Sequence, residues 1–202
     1  MDFFHRIIPA AAALLILFGT AACGEVQQSD TDSAQTSAAA DTTAAPADTT
    51  AAPVFDPDSL PAITLTSADL HDGVWDADIS NTNKGSNRSP QLSWQPVEGA
   101  ACYAVYMVDT SASYWLHWKS LNITSTELAA GAAPETEYIG PYPPSGTHDY
   151  EIRVYALKEP AAEEQSQFDN SNVKFAQMAA ALDNPAGNVL AYGTLTGSYT
   201  RS

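Results

Sequence analysis

Two histidines and one aspartate carry the chemistry legible in this chain. His148 sits in GPYPPSGTHDY, shortly after Gly146, and His117 lies inside the aromatic run WLHWKSLNI. Asp109 closes the apolar run CYAVYMVD. Pro141, Pro143 and Pro144 fix their own φ and give up their donors, and Gly146 allows a sharp reversal, so the turn presents His148 rather than burying it. Imidazole donates or accepts near neutral pH, and two such rings with a carboxylate at strand ends can converge on one pocket. The same three residues would also satisfy a facial two-histidine, one-carboxylate metal triad, which is the enzymatic alternative. No HExxH, CxxC or GxSxG motif accompanies them.

The elements that must position these groups read mainly as strands. CYAVYMVD, WLHWKSLNI, YEIRVYAL and VLAYGTLTGSYT are rich in aromatic and β-branched residues and lie between Gly, Pro, Asn and Ser clusters. One helix is expected over about 171–182, capped by Asn170 or Ser171. Val173, Ala176 and Ala180, with Phe175, Ala179 and Leu182, give it a face for a sheet. The class is mostly β with a C-terminal helix on one face. Cys102 reads as a small core residue, and Trp94, Trp115 and Trp118 read first as core aromatics.

These pieces, in order, resemble the phosphatidylethanolamine-binding protein family, and its bacterial Raf-kinase-inhibitor-like branch in particular. The likeness runs through ITLTS, GSNRSPQLSW, the strand to Asp109, the His117-Trp118 pair, GPYPPSGTH, YEIRVYAL and LTGSYTR. The resemblance implies an antiparallel β-sandwich of a larger and a smaller sheet. It also implies that Asp109, His117 and His148 line a small, non-catalytic pocket for phosphate-like anions, including a phospholipid head group. Pro143, Pro144 and Gly146 would shape its rim, and Trp115 and Tyr150 its walls. On physical grounds Asp109 would not contact an anion favourably, and would instead orient an imidazole, raise that histidine's proton affinity, or meet an ammonium group on the ligand. No cofactor is expected. The chain departs from its relatives in reading DTSAS after the central strand, without their prolines, and Asp149 where they carry Arg. Negative potential beside the pocket should weaken an anion.

The chain of 202 residues carries 24 acidic and 8 basic side chains, a net charge of −16. That balance excludes a grip on the phosphate backbone, so nucleic acid is not an expected partner. Residues 1–22 read as a lipoprotein signal peptide: an apolar run over 7–18, too short to span a bilayer, then small residues up to Cys23. Cys23 is the expected lipidation site, holding the protein at the cell membrane on its extracytoplasmic face. Two acyl chains suffice for stable anchoring. Residues 23–60 repeat ADTTAAP and carry seven acidic residues without a basic one. Such a stretch is an expected disordered tether, spanning roughly 30–35 Å. Residues 61–202 form the expected domain. An envelope protein is the alternative partner, with the chain acting as an inhibitor or interaction module.

Overall fold

The computed structural model describes residues 55–161 and 164–201. The expected signal peptide, the lipidation site Cys23 and the tether up to residue 54 lie outside the described residues. Phe55 and Leu60 already pack against the core, with a short 3-10 turn, Pro57–Ser59, between them. Packed chain therefore begins before the expected boundary at residue 61.

The strands are β1 (Leu70–His71), β2 (Val74–Trp75), β3 (Leu92–Ser93), β4 (Cys102–Asp109), β5 (Trp115–Ile123), β6 (Glu127–Leu128), β7 (Gly146–Leu157) and β8 (Val189–Arg201). Six form one sheet in the order β1-β2-β8-β7-β4-β5, and β3 with β6 form a second. The pairs β4–β5, β4–β7 and β7–β8 are all antiparallel. The fold is the mostly β, sandwich-like arrangement of a larger and a smaller sheet.

Every residue of β4 is buried, which explains why CYAVYMVD lacks polar alternation: both faces of this central strand are covered. Cys102, Ala104, Tyr106 and Val108 face the helix side with Phe175, Ala179 and Leu182. Tyr103, Val105 and Met107 join Leu92, Trp94, Trp118 and Tyr138 toward the smaller sheet. Each large side chain closed off this way contributes about 1.5–3 kcal/mol.

The helix α1 is shorter than expected, Phe175–Ala179, continued by a 3-10 turn, Ala180–Asp183. Lys174 occupies the N-cap without a side-chain hydrogen bond, so neither Asn170 nor Ser171 caps it. Ser171 instead bridges to Trp115 at the edge of β5, and the buried Asn172 spends its amide on Gln167 and Asn170. Tertiary pairing of 170–172 with β5 outcompetes local capping. Of the two expected apolar stripes, Phe175, Ala179 and Leu182 are buried, whereas Val173 is 72% exposed.

Candidate functional site

Register brings the three residues together. At its last residue, Asp109, β4 faces Tyr150 of β7 on one side and Trp115 of β5 on the other. His148 and His117 each lie two residues from those partners. A shift in the β4–β5 register completes the placement. Met107 pairs with Trp118 and Val108 with Leu116, so His117 is the unpaired residue of a bulge. Bulges re-aim a side chain and recur beside functional sites.

Asp109 is 3% exposed and shares its carboxylate between two partners. Oδ1 accepts from the Ser111 amide at 2.8 Å, and Oδ2 lies 2.6 Å from His148 Nδ1. The imidazole donates there. The expected role of Asp109 in orienting an imidazole corresponds to this contact. The His148 side chain is 16% exposed. The turn thus aims His148 without leaving it on the surface, although Gly146 does adopt the left-handed φ of 71° that the reversal needs.

His117 is 6% exposed, and its Nδ1 lies 2.8 Å from the Ile139 carbonyl oxygen. A carbonyl only accepts, so Nδ1 carries the proton. Burial pulls this imidazole below its ordinary 6.5, opposed by the Ile139 carbonyl and the Asp109 charge. Desolvation wins because it removes water from the charged form.

Asp109, His117, His148, Trp115, Pro143 and Pro144 line one open cavity of about 380 Å³. Tyr150 and Gly146 are not among its lining residues. Tyr150 is fully buried behind the imidazoles, its ring 5.2 Å from His117 edge-on and 6.5 Å from His148 in a stacked arrangement. Among the described residues its hydroxyl makes no hydrogen bond of ordinary geometry, and burial, the Asp109 charge and a looser approach to the Asp109 carboxylate push it well above the usual phenol range. Trp75 donates from Nε1 to the Tyr150 carbonyl at 3.2 Å and so steadies this part of β7.

The lining also includes Asn81, Ala112, Ile139, Gly140, Tyr142 and Asp169, which the sequence did not single out. Tyr142 lies within the motif GPYPPSGTH and could have been read from it. Asp169 had no such signal. It arrives because the segment before α1 pairs with β5: Leu116 donates to the Asn170 carbonyl, and Asp169 donates to the Leu116 carbonyl, both at 2.9 Å. Its Oδ1 then accepts from Trp115 Nε1 at 3.1 Å. The charged lining residues are therefore Asp109 and Asp169, with no Lys or Arg among them. Asp149, which alternates with His148 along β7, is not among the lining residues.

Arg201, near the end of β8, fastens the rim. Nη1 donates to the carbonyls of Pro143 and Pro144 at 3.2 and 3.3 Å, Nη2 donates to Tyr142 Oη at 3.1 Å, and the guanidinium lies 4.4 Å from the Tyr142 ring centroid. Among the described residues, no group of three or more His, Cys, Asp and Glu is arranged to hold a metal ion.

Comparison with known proteins places this chain among relatives. Residues 66–200 match the family model described as phosphatidylethanolamine-binding protein. A UPF0098 protein of Methanothermobacter thermautotrophicus is 32% identical over 146 residues, which cover 59% of this chain and 87% of that protein. Two crystal structures share the fold. A phosphatidylethanolamine-binding protein homolog from Chlamydia trachomatis superposes with a TM-score of 0.53 at 22% identity, covering 70% of this chain and 99% of that one. Escherichia coli YbcL, described as a member of the mammalian PEBP family, gives 0.52 at 25% identity, covering 69% and 99%.

Proposed function

Because the chain belongs to the phosphatidylethanolamine-binding protein family, we propose that it is a non-catalytic binding module of the bacterial Raf-kinase-inhibitor-like branch. Its strand-end cavity takes a small phosphorylated ligand or a phospholipid head group. The observation that carries this reading is the Asp109–His148 pair facing the same cavity as His117. With Nδ1 of each ring held by protein, Nε2 is left for a ligand, and in the imidazolium form it donates to an anion. The volume of about 380 Å³ lies within the usual range for small-molecule sites. Ile139, Pro143, Pro144 and Trp115 provide apolar walls for the carbon skeleton next to the head group.

The non-catalytic reading rests on how the polar atoms are used. Asp109 is committed to His148 and the Ser111 amide, and His117 Nδ1 to the Ile139 carbonyl, a constellation suited to holding a ligand. In the same proposal, residues 1–22 direct export and a lipid on Cys23 holds the protein on the extracytoplasmic face of the cell membrane. The Ala, Thr, Asp and Pro segment that follows serves as a tether. Replacing Cys23 by Ser then moves the protein from the membrane fraction to the soluble fraction. Retention of C23S on membranes would refute the anchor.

Titration with phosphate, phosphoethanolamine and acetate, followed on the ring signals of His117 and His148, tests the cavity. Saturable shifts support it, and none with any of the three removes it.

A second reading, an interaction or inhibitor module for an envelope protein, is favoured by the exposure of Tyr114, Trp115 and Val173, at 37%, 37% and 72%, Trp115 lining the cavity and the other two a separate groove with Arg153 and Phe175. It requires a crosslinked partner that is lost when 111–114 are altered and kept when only His148 is replaced.

A further inference from the structure

Beside the histidine-lined cavity, the rim carries a second pocket. Its lining is Thr82, Asn83, Tyr142, Tyr199 and Arg201, and its volume is about 320 Å³. Tyr142 lines both spaces and is their shared wall. The placement follows from the β7–β8 register, in which Tyr199 pairs with His148 and Arg201 with Gly146. The two linings differ in charge. The first holds Asp109 and Asp169 with no Lys or Arg, whereas the second holds a guanidinium and no carboxylate.

Arg201 differs from Arg88 and Arg153, which each contact a carboxylate, on Asp69 and Glu151. Among the described residues Arg201 contacts none. Its acceptors are the Pro143 and Pro144 carbonyls and the Tyr142 hydroxyl, which fix the plane of the fork without neutralising it. Nε–H and one N–H of Nη2 make no hydrogen bond among the described residues. Nε and Nη2 lie along one edge of a guanidinium, and that edge matches the two oxygens of a carboxylate. The rest of the pocket is also fixed in advance. Tyr199, 6% exposed, donates to Ser80 Oγ at 3.0 Å, and Ser80 Oγ donates to the Ala77 carbonyl at 2.7 Å. Thr82 Oγ1 lies 3.2 Å from Tyr199 Oη and accepts from the Lys84 amide at 3.2 Å. Groups held this way lose little freedom when a ligand arrives.

We propose that this pocket is a second binding site, which takes the carboxylate of a small organic acid on Arg201 Nε and Nη2. The Tyr142 ring, with the guanidinium 4.4 Å from its centroid, gives the carbon body of the acid a flat wall, and Thr82 and Asn83 give it a polar flank. One uncompensated guanidinium balances one negative charge. A chain of net charge −16 repels a dianion more than a monoanion, so a carboxylate is better matched here than a phosphate monoester. This site stands whether or not the histidine-lined cavity holds a ligand.

The test is NMR titration of the full chain at neutral pH with benzoate, benzamide and inorganic phosphate in turn. The Arg201 Nε and Tyr199 ring resonances report this pocket, and the His117 and His148 rings report the other. Benzoate is expected to move the first pair saturably and leave the imidazoles in place. Benzamide, which has the shape without the charge, is expected to bind at least about tenfold more weakly. R201K keeps the charge but loses the fork, and should weaken benzoate about tenfold on the Tyr199 signal. N83D sets a competing carboxylate in the pocket and leaves the rim contacts of Arg201 alone, so it should weaken benzoate about threefold to fivefold. No saturable shift with benzoate overturns the proposal, and so does benzoate that moves the imidazoles but not Arg201. Phosphate held at Arg201 more tightly than benzoate overturns the choice of a carboxylate. Parent-like benzoate affinity in both R201K and N83D removes the site.

Discussion

Asp109 Oδ2 and His148 Nδ1 lie 2.6 Å apart at the end of two adjacent strands, with side-chain exposures of only 4% and 16%. The contact spans 39 positions in sequence, and it exists because β4 and β7 pair antiparallel with Asp109 opposite Tyr150. It fixes which ring nitrogen of His148 is bound to protein and which is left for the cavity.

The tautomer is the first consequence. Nitrogen chemical shifts of neutral His148 should report a proton on Nδ1, and D109A should shift the ring toward the Nε2–H form. D109A should also cost about 1–3 kcal/mol of stability, the penalty for a buried partner left unpaired. An unchanged tautomer in D109A would show that the carboxylate does not set the ring.

His117 makes stability depend on pH. Its folded value lies below 6.5 because burial disfavours the charged ring, so between the two values the unfolded chain binds a proton that the folded chain does not. The contribution is complete above 6.5 and is lost as pH falls through the window beneath it, with a slope of at most about 1.4 kcal/mol per pH unit. Urea midpoints at pH 8 and pH 5 should therefore differ more for the parent than for H117Q. Equal pH slopes in the two proteins contradict the claim.

Away from the cavity, Arg88 Nη2 and Nη1 contact Asp69 Oδ1 and Oδ2 at 2.6 and 3.1 Å, and the Gln91 amide adds a third bond at 2.7 Å. Burial pushes the Asp69 carboxyl up, but the guanidinium and that amide outweigh it and hold it below 3.8. R88A leaves a carboxylate of 7% side-chain exposure unpaired and should cost about 3–5 kcal/mol in chemical denaturation. Loss of less than 1 kcal/mol would mean that solvent reaches Asp69 readily.

At Gly140 the chain passes so close to the Ile79 carbonyl and the Asn81 amide that a β-carbon would overlap both. G140A should destabilise by about 1–3 kcal/mol through overpacking. It should also displace 79–81, which a crystal structure of the variant can check. Parent-like coordinates and melting temperature in G140A would contradict the tight approach.

R201A should loosen the cavity rim without unfolding the sheet. Amide exchange at Tyr142, Ser145 and Gly146 is expected to quicken while the melting temperature moves by only a few degrees, since one exposed guanidinium is lost and no core residue is touched. Unchanged exchange would assign the rim's order to its prolines alone.

The sequence by itself determined the four long strands, the apolar run of β4 and the sharp reversal at Gly146. Each of these follows from short-range causes: side-chain alternation, β-branched and aromatic content, and the backbone freedom of glycine. It also pointed to Asp109, His117 and His148, because residue type and strand position are local facts. Only the tertiary structure decided that a register shift leaves His117 unpaired, that Tyr150 withdraws behind the imidazoles and that Asp169 joins Trp115 from 54 positions away. The late start of α1 belongs with these, since 170–172 pair with the edge of β5 rather than cap a helix. Register and edge pairing are settled between segments distant in sequence, by which side chains and backbone groups close the core together, and no local pattern encodes that choice.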